Sequence, residues 1–276
     1  MAAAQPRWGK VFSWVSLDSC HATQQLRIIG PMPKSYVYLN PSSPAPICWP
    51  GHRCRVLTLS LLLLVAAPLF AASSYLAPGH PDGVALLAPP PEVGSPEEAA
   101  DLASARAVFK GRTPAEEARA TNSASLSLFL FAPAIGPFFQ PGKLPKTEAL
   151  FKKVKKDITA PISIPKEHWK RRRPYQVDEH MSMGEGEPDY AYPSGHSTRG
   201  TVQALLLTEL FPEQSEAILA VGRNMGWDRV LIGKHFPTDV YAGRVLGRAI
   251  VRELLASPAF RHDLAEAKAE VQAAQH

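Results

Sequence analysis

Cysteine is scarce in this 276-residue chain, and its three copies, Cys20, Cys48 and Cys54, all precede residue 55. Beyond that point no disulfide can brace the fold and no thiol can do chemistry. Long apolar runs are also missing from the later chain. Its most apolar stretch, Leu126 to Phe139, is too short to cross a bilayer and is interrupted by Pro133, Gly136 and Pro137, so it is expected to be a core helix followed by a turn. There is no run of alternating strand residues, no internal repeat and no glycine-rich nucleotide loop. A net charge is lacking too, once its location is noted. The formal +5 comes from 30 basic and 25 acidic residues, of which six bases and one acid lie in 1–72, leaving 24 of each after it. The basic balance therefore gives no reason to expect a nucleic-acid partner.

What stands at the front reads as a leader. Arg53-Cys54-Arg55 is a basic flank, Val56 to Phe70 an apolar core, and Ala71-Ala72-Ser73-Ser74 a run of small residues. That order is the pattern of a secretory signal peptide, assigned here to 53–73, with a mature terminus near Ala72 to Ser74. Residues 1–52 are proline-rich and aperiodic, and they are expected to be a non-native or mis-assigned extension. An uncleaved anchor is the alternative, which the short apolar core and Pro68 disfavour.

After the leader, 74–95 is broken by prolines and is expected to be an extended arm without helix. The remainder, 96–276, is expected to be one helical domain; about 200 residues can bury a sufficient core. Helices are expected over Pro96 to Lys110, Pro114 to Ala120 with Thr113 and Glu116 capping, and Lys146 to Asp157 with a basic face. Further helices are expected from near Ser194 to Phe211, over Pro212 to Met225, and over Pro237 to Leu255, the last long one. The fold class is all-α.

Three segments gather charge beyond what a helical core needs. Lys166 and Arg173 are seven apart in a basic run that ends at Pro174, and lie on one side if that run is helical. Pro193-Ser194-Gly195-His196 opens a helix, where free amides and the positive end of the helix dipole favour an anion; Gly195 lets it approach and His196 stands beside it. His235 and Asp239 are four apart at a helix start, so the carboxylate can fix one ring nitrogen and leave the other free as nucleophile or base. This His and Asp could equally be half a metal site, but Lys166, Arg173 and Arg229 would repel a divalent cation and draw an oxyanion.

Together these segments resemble the signature of the type 2 phosphatidic acid phosphatase superfamily: Lys, six residues, Arg-Pro; then Pro-Ser-Gly-His; then Ser-Arg, five residues, His, three residues, Asp. Lys166 to Arg173-Pro174, Pro193 to His196, and Arg229, His235 and Asp239 match with every interval intact. The arm, with Tyr75-Leu76-Ala77-Pro78 and Leu86-Leu87-Ala88-Pro89-Pro90-Pro91, is similar to the mature start of class A bacterial non-specific acid phosphatases.

The resemblance implies a single-domain helical bundle, shared with vanadium haloperoxidases, and a periplasmic phosphatase acting on small phosphate monoesters. It implies that His235 attacks phosphorus and becomes phosphohistidine, that Asp239 orients it, and that His196 protonates the leaving group. Lys166, Arg173, Ser194, Gly195 and Arg229 would bind the phosphoryl oxygens. No cofactor, no metal, no nucleic acid and no membrane span in the mature form are implied, and a homo-oligomer is compatible. The rival readings are a vanadate-dependent haloperoxidase, a lipid-phosphate phosphatase, and a non-enzymatic module gripping anions or nucleic acid through Lys170 to Arg173.

One position departs from the pattern. Asp228 stands where the signature has Ser, and a carboxylate facing the pocket would repel phosphate; it is expected to pair with Arg229, Lys234 or Arg173 or to turn away. The segment Asp178 to Tyr192, with Glu185, Glu187 and Asp189, is expected near the pocket mouth.

Overall fold

The computed structural model describes residues 74–275, so the expected extension 1–52 and signal peptide 53–73 lie outside the described residues. Every regular element among the described residues is helical. The arm departs slightly from expectation, because it contains one helical turn, α1 (Gly83–Leu86), whose Asp82 side chain accepts from the amides of Val84 and Ala85. It is also firmly held. The Tyr75 amide donates to Asp157 at 2.6 Å, its hydroxyl to Asp263 at 2.5 Å, and its ring meets Phe260 edge-on at 5.3 Å.

The capping residues define the next two helices. Ser95 accepts from Glu98 at the start of α2 (Pro96–Gly111), and Thr113 and Glu116 cap α3 (Pro114–Ser123) reciprocally. Leu126 to Phe139 does not form the expected core helix. It makes a 3-10 turn over Leu128–Phe131 and one helical turn, α4 (Ala132–Ile135), then stops at Gly136, whose φ of +136° suits glycine alone. Phe131 and Phe139 are nevertheless buried, Phe139 edge-on to Phe211.

α5 (Pro145–Asp157) buries Leu150, Phe151 and Val154 and leaves Lys152, Lys153, Lys155 and Lys156 exposed. α6 (Thr159–Trp169) and a single turn, α7 (Pro174–Val177), lead into a long loop. Then come α8 (Gly195–Leu210), α9 (Ser215–Leu231) and α10 (Pro237–Ala256). A further helix, α11 (Pro258–Ala274), follows where none was expected, burying Phe260, Leu264, Ala267 and Val271.

The core lies along α8, whose Val202, Leu206 and Leu207 are fully buried beneath α9 and α10. Each such side chain contributes about 2 kcal/mol. Small residues bring these helices very close. A Cβ on Gly243 of α10 would stand 2.6 Å from the Ser194 carbonyl, and one on Gly226 of α9 would stand 2.9 Å from Ser197. The Ser194 amide donates to the Asp239 carbonyl at 3.0 Å, and the Ser197 hydroxyl to the Val240 carbonyl at 2.6 Å. The amino ends of α8 and α10 and the carboxyl end of α9 therefore meet at one place.

Candidate active site

That meeting place holds the charged residues singled out by spacing. Lys166 is on α6, which ends at Trp169; Lys170 then takes a left-handed conformation, φ +48°. Lys166 and Arg173 are thus not neighbours on one helix face, as a continuous helix would make them. They converge because the left-handed turn redirects the chain, and both donate to the Tyr190 carbonyl and pair with Asp189, Lys166 at 3.2 Å. Both are buried. Burial, reinforced by Arg173, lowers the Lys166 ammonium to about 8.

Ser194 is fully buried and caps α8, accepting from the Ser197 amide at 3.3 Å. At Gly195 a Cβ would lie 3.5 Å from Ile162 Cγ2, 3.8 Å from Arg199 Nη1 and 4.0 Å from Lys166 Cε, so the bare backbone lies beside two cationic side chains. His196 donates from Nε2 to the Ala124 carbonyl at 3.2 Å. A carbonyl can only accept, so Nε2 carries the hydrogen and Nδ1 the lone pair. Burial, then Arg229, holds the His196 imidazole down to about 3, so it is neutral near pH 7.

His235 follows the Gly233 turn, where φ is +70° and a Cβ would collide with the Met181 carbonyl. Its ring is buried between two partners. Nδ1 faces Asp239 Oδ2 at 3.3 Å, and Nε2 faces Arg173 Nη1 at 3.3 Å. A carboxylate accepts and a guanidinium donates, so both contacts select the tautomer with hydrogen on Nδ1 and a lone pair on Nε2. Burial, followed by the charges of Arg173 and Lys166, holds the imidazole well below its ordinary range.

Asp239 is itself tightly held. It accepts from the Phe236 amide at 2.8 Å and from Arg171 Nη1 at 2.6 Å, and Arg171 in turn pairs with Asp101 at 2.8 Å and lies over the Phe236 ring. Burial pushes the Asp239 carboxyl up, and Arg171 opposes it. The chain from Asp101 through Arg171 and Asp239 to His235 orients the ring. Spacing did not identify Arg171 or Asp101. Arg171 reads as one of four consecutive bases, and Asp101 lies in a separate helix.

Arg229 sits in the last turn of α9, buried, with Nη2 donating to Glu187 at 2.6 Å. Its Nε and Nη1 are buried without an acceptor among the described residues. Asp228, beside it, points the other way. It accepts from Arg119 Nε at 3.0 Å and from the Ser123 hydroxyl at 2.9 Å, tying α9 to α3. It turns away as one expectation had it, and its partners are on α3 rather than Arg229, Lys234 or Arg173.

The loop before α8 closes the site. Glu187 lies on Arg229, Asp189 on Lys166 and Arg173, and Lys234 donates to the Glu185 carbonyl while lying over the Tyr175 ring. Two carboxylates thus pair with the three buried cations. Their sequence signal was their acidity beside a cationic site, legible as proximity but not as pairing.

Among the described residues, no three His, Cys, Asp or Glu side chains cluster in a way that could hold a metal ion. Chemically the site is an oxyanion receptor: buried cations, a helix mouth, and an oriented imidazole whose lone pair faces the same space. On an all-helical bundle this arrangement suits a tetrahedral oxyanion. Residues 157–263 match the PAP2 superfamily. The chain is 31% identical over 205 residues to an acid phosphatase of Zymomonas mobilis, covering 71% of this chain and 78% of that one. It is 31% identical over 202 residues to a non-specific acid phosphatase of Providencia stuartii, covering 68% and 80%. A transmembrane PAP2-type phosphatidylglycerolphosphate phosphatase from Bacillus subtilis superposes with a TM-score of 0.41 at 23% identity, covering 58% of this chain and 85% of that one. The chain belongs to the PAP2 superfamily.

Proposed function

We propose that this protein is an acid phosphatase, a hydrolase of phosphoric monoesters, working through a phosphohistidine without a metal ion. The observation that carries the reading is the held tautomer of His235, with Nδ1 on Asp239 and the Nε2 lone pair facing the cations. The phosphoryl group enters between Lys166, Arg173 and Arg229, displacing Glu187 and Asp189. The unpartnered Nε and Nη1 of Arg229, the Ser194 hydroxyl and the Gly195 amide complete its ligands. Nε2 of His235 forms the bond to phosphorus as the ester oxygen leaves with a proton from His196.

His196 acquires that proton because the arriving dianion reverses the cationic field that keeps it neutral. Water then attacks phosphorus, His196 takes its proton, and the bond to His235 breaks, returning phosphate and the resting imidazole. Asp239 balances the charge that His235 gains while phosphorylated.

The relatives named acid phosphatases support the substrate class. The leader-like segment supports export, and the reading places the mature protein in the periplasm, acting on small phosphate monoesters without nucleic acid and compatible with a homo-oligomer. The test is release of phosphate from p-nitrophenyl phosphate by the wild type and His235→Ala, with chelator and without. Chelator-resistant activity in the wild type and none above background in the variant is the expected result. Equal activity in the two proteins would sink the mechanism.

A further inference from the structure

Away from the catalytic centre, α8, α9 and α10 enclose a cleft of about 230 Å³ lined by Thr201, Leu205, Leu219, Arg223, Arg244 and Arg248. Its α8 residues lie about one and a half to two and a half turns from the His196 end, and none of its side chains belongs to the site described above. The floor is apolar, with Ala204 and Leu219, while the walls carry three guanidinium groups.

What sets these three apart is that they converge on one cleft. Arg106, Arg112, Arg119, Arg171, Arg173 and Arg229 all lie within 4.0 Å of a carboxylate. Among the described residues, Arg223, Arg244 and Arg248 have no such partner, and neither do Arg172, Arg199, Arg252 and Arg261, but only the first three line one cavity together. Glu253 of α10 faces His80, and Glu209 of α8 pairs with Lys268. Arg244 and Arg248, four apart on α10, share a face, and like charges so placed repel. Arg223 meets them from α9.

The Arg244 Nε is buried without an acceptor. Burial, with the neighbouring charges of Arg223 and Arg248, also lowers the Arg244 guanidinium below its ordinary value. Arg223 and Arg248 are exposed, so the cost lies mainly in the buried Arg244 donor without an acceptor, and one oxyanion in the cleft would satisfy it and bridge the three like charges. The volume is below that of a typical drug-sized pocket, so the fitting group is small. We propose that Arg223, Arg244 and Arg248 form a second oxyanion site that takes a phosphate group, either free phosphate or the exposed headgroup phosphate of an anionic lipid. This inference stands on the cleft's own geometry; only the count of a second phosphate rests on the proposed active site.

The experiment titrates inorganic phosphate into the full mature chain at low salt by calorimetry. The proteins compared are the wild type, R244Q/R248Q, and Arg229→Ala. The wild type is expected to bind two phosphates per chain, and R244Q/R248Q one. Arg229→Ala is expected to keep the phosphate that the double variant loses. Hydrolysis by R244Q/R248Q should stay within about twofold of wild type, as for substitutions outside a site.

A parallel arm measures co-sedimentation with phosphatidylglycerol vesicles. Arginine-dependent binding to vesicles, with phosphate stoichiometry unchanged, assigns the site to a lipid headgroup. Should R244Q/R248Q fold poorly, R223Q, which alters an exposed side chain, is measured in the same two ways. Unchanged phosphate stoichiometry together with unchanged vesicle binding overturns the proposal. So does a change in oligomeric state without loss of either ligand, because the arginines would then serve contacts between copies of the chain.

Discussion

A nucleophilic imidazole has to be neutral and oriented when its substrate arrives, and His235 meets both conditions through burial and two opposed partners. Orientation runs through Asp239, so Asp239→Asn should lower kcat about 100-fold while leaving KM within a few fold; an unchanged kcat in steady-state assays would remove Asp239 from the mechanism. Glu187 and Asp189 act in the opposite sense, because they compete for the cations. Both are partly exposed, so each contact contributes little, and E187Q/D189N should lower KM about fivefold. A rise in KM would show that these carboxylates build the site rather than guard it. The intervals in the sequence singled out His235, Asp239, His196, Lys166, Arg173 and Arg229, which the fold brings to one place. They could not identify Arg171 and Asp101, whose pairing bridges 70 positions and leaves no local pattern. Nor could they show which way Asp228 points, since that depends on the docking of α3.

The helices that carry these residues depend on close approach more than on volume. At Gly243 an added methyl would press on the Ser194 carbonyl at 2.6 Å. Overpacking of this kind costs about 1–3 kcal/mol. Gly243→Ala should therefore melt several degrees lower and, by shifting the helix mouth, lose at least about tenfold in kcat/KM. Calorimetry and steady-state kinetics check the two effects separately, and wild-type values for both would refute the close contact. Asp228→Ser tests the opposite case, a buried group remote from chemistry. It should keep activity within about an order of magnitude but unfold more easily, by about 1–3 kcal/mol, because Arg119 and Ser123 lose an acceptor. Helices with clear caps or strong periodicity, such as α3, α5 and α10, were legible in the sequence. Leu126 to Phe139 was misread because apolar content hid the effect of Pro133 and Gly136. α11 was overlooked because its buried positions, Ala267 among them, are diluted by alanine and charge.

Across the whole molecule, the site gathers buried positive charge closed by two carboxylates, which is expected to make both stability and activity depend on pH. His196 has its folded value depressed from 6.5 to about 3. The stability this contributes is present above 6.5 and is lost as pH falls toward 3, because the unfolded chain takes up the proton first. The melting temperature should fall on acidification from pH 7 to pH 4, and less so with bound phosphate; a fall of the same size with phosphate would contradict the linkage. Lys166, lowered to about 8, should cost the free enzyme substrate affinity as pH rises through that value. The central claim, that His235 carries the phosphoryl group, is tested most directly by quenching the enzyme with labelled substrate into alkali, where phosphohistidine survives, and mapping the label. The account predicts label on the peptide containing His235 and none in His235→Ala; a wild type that turns over without labelling, or a label that persists in the variant, would contradict it.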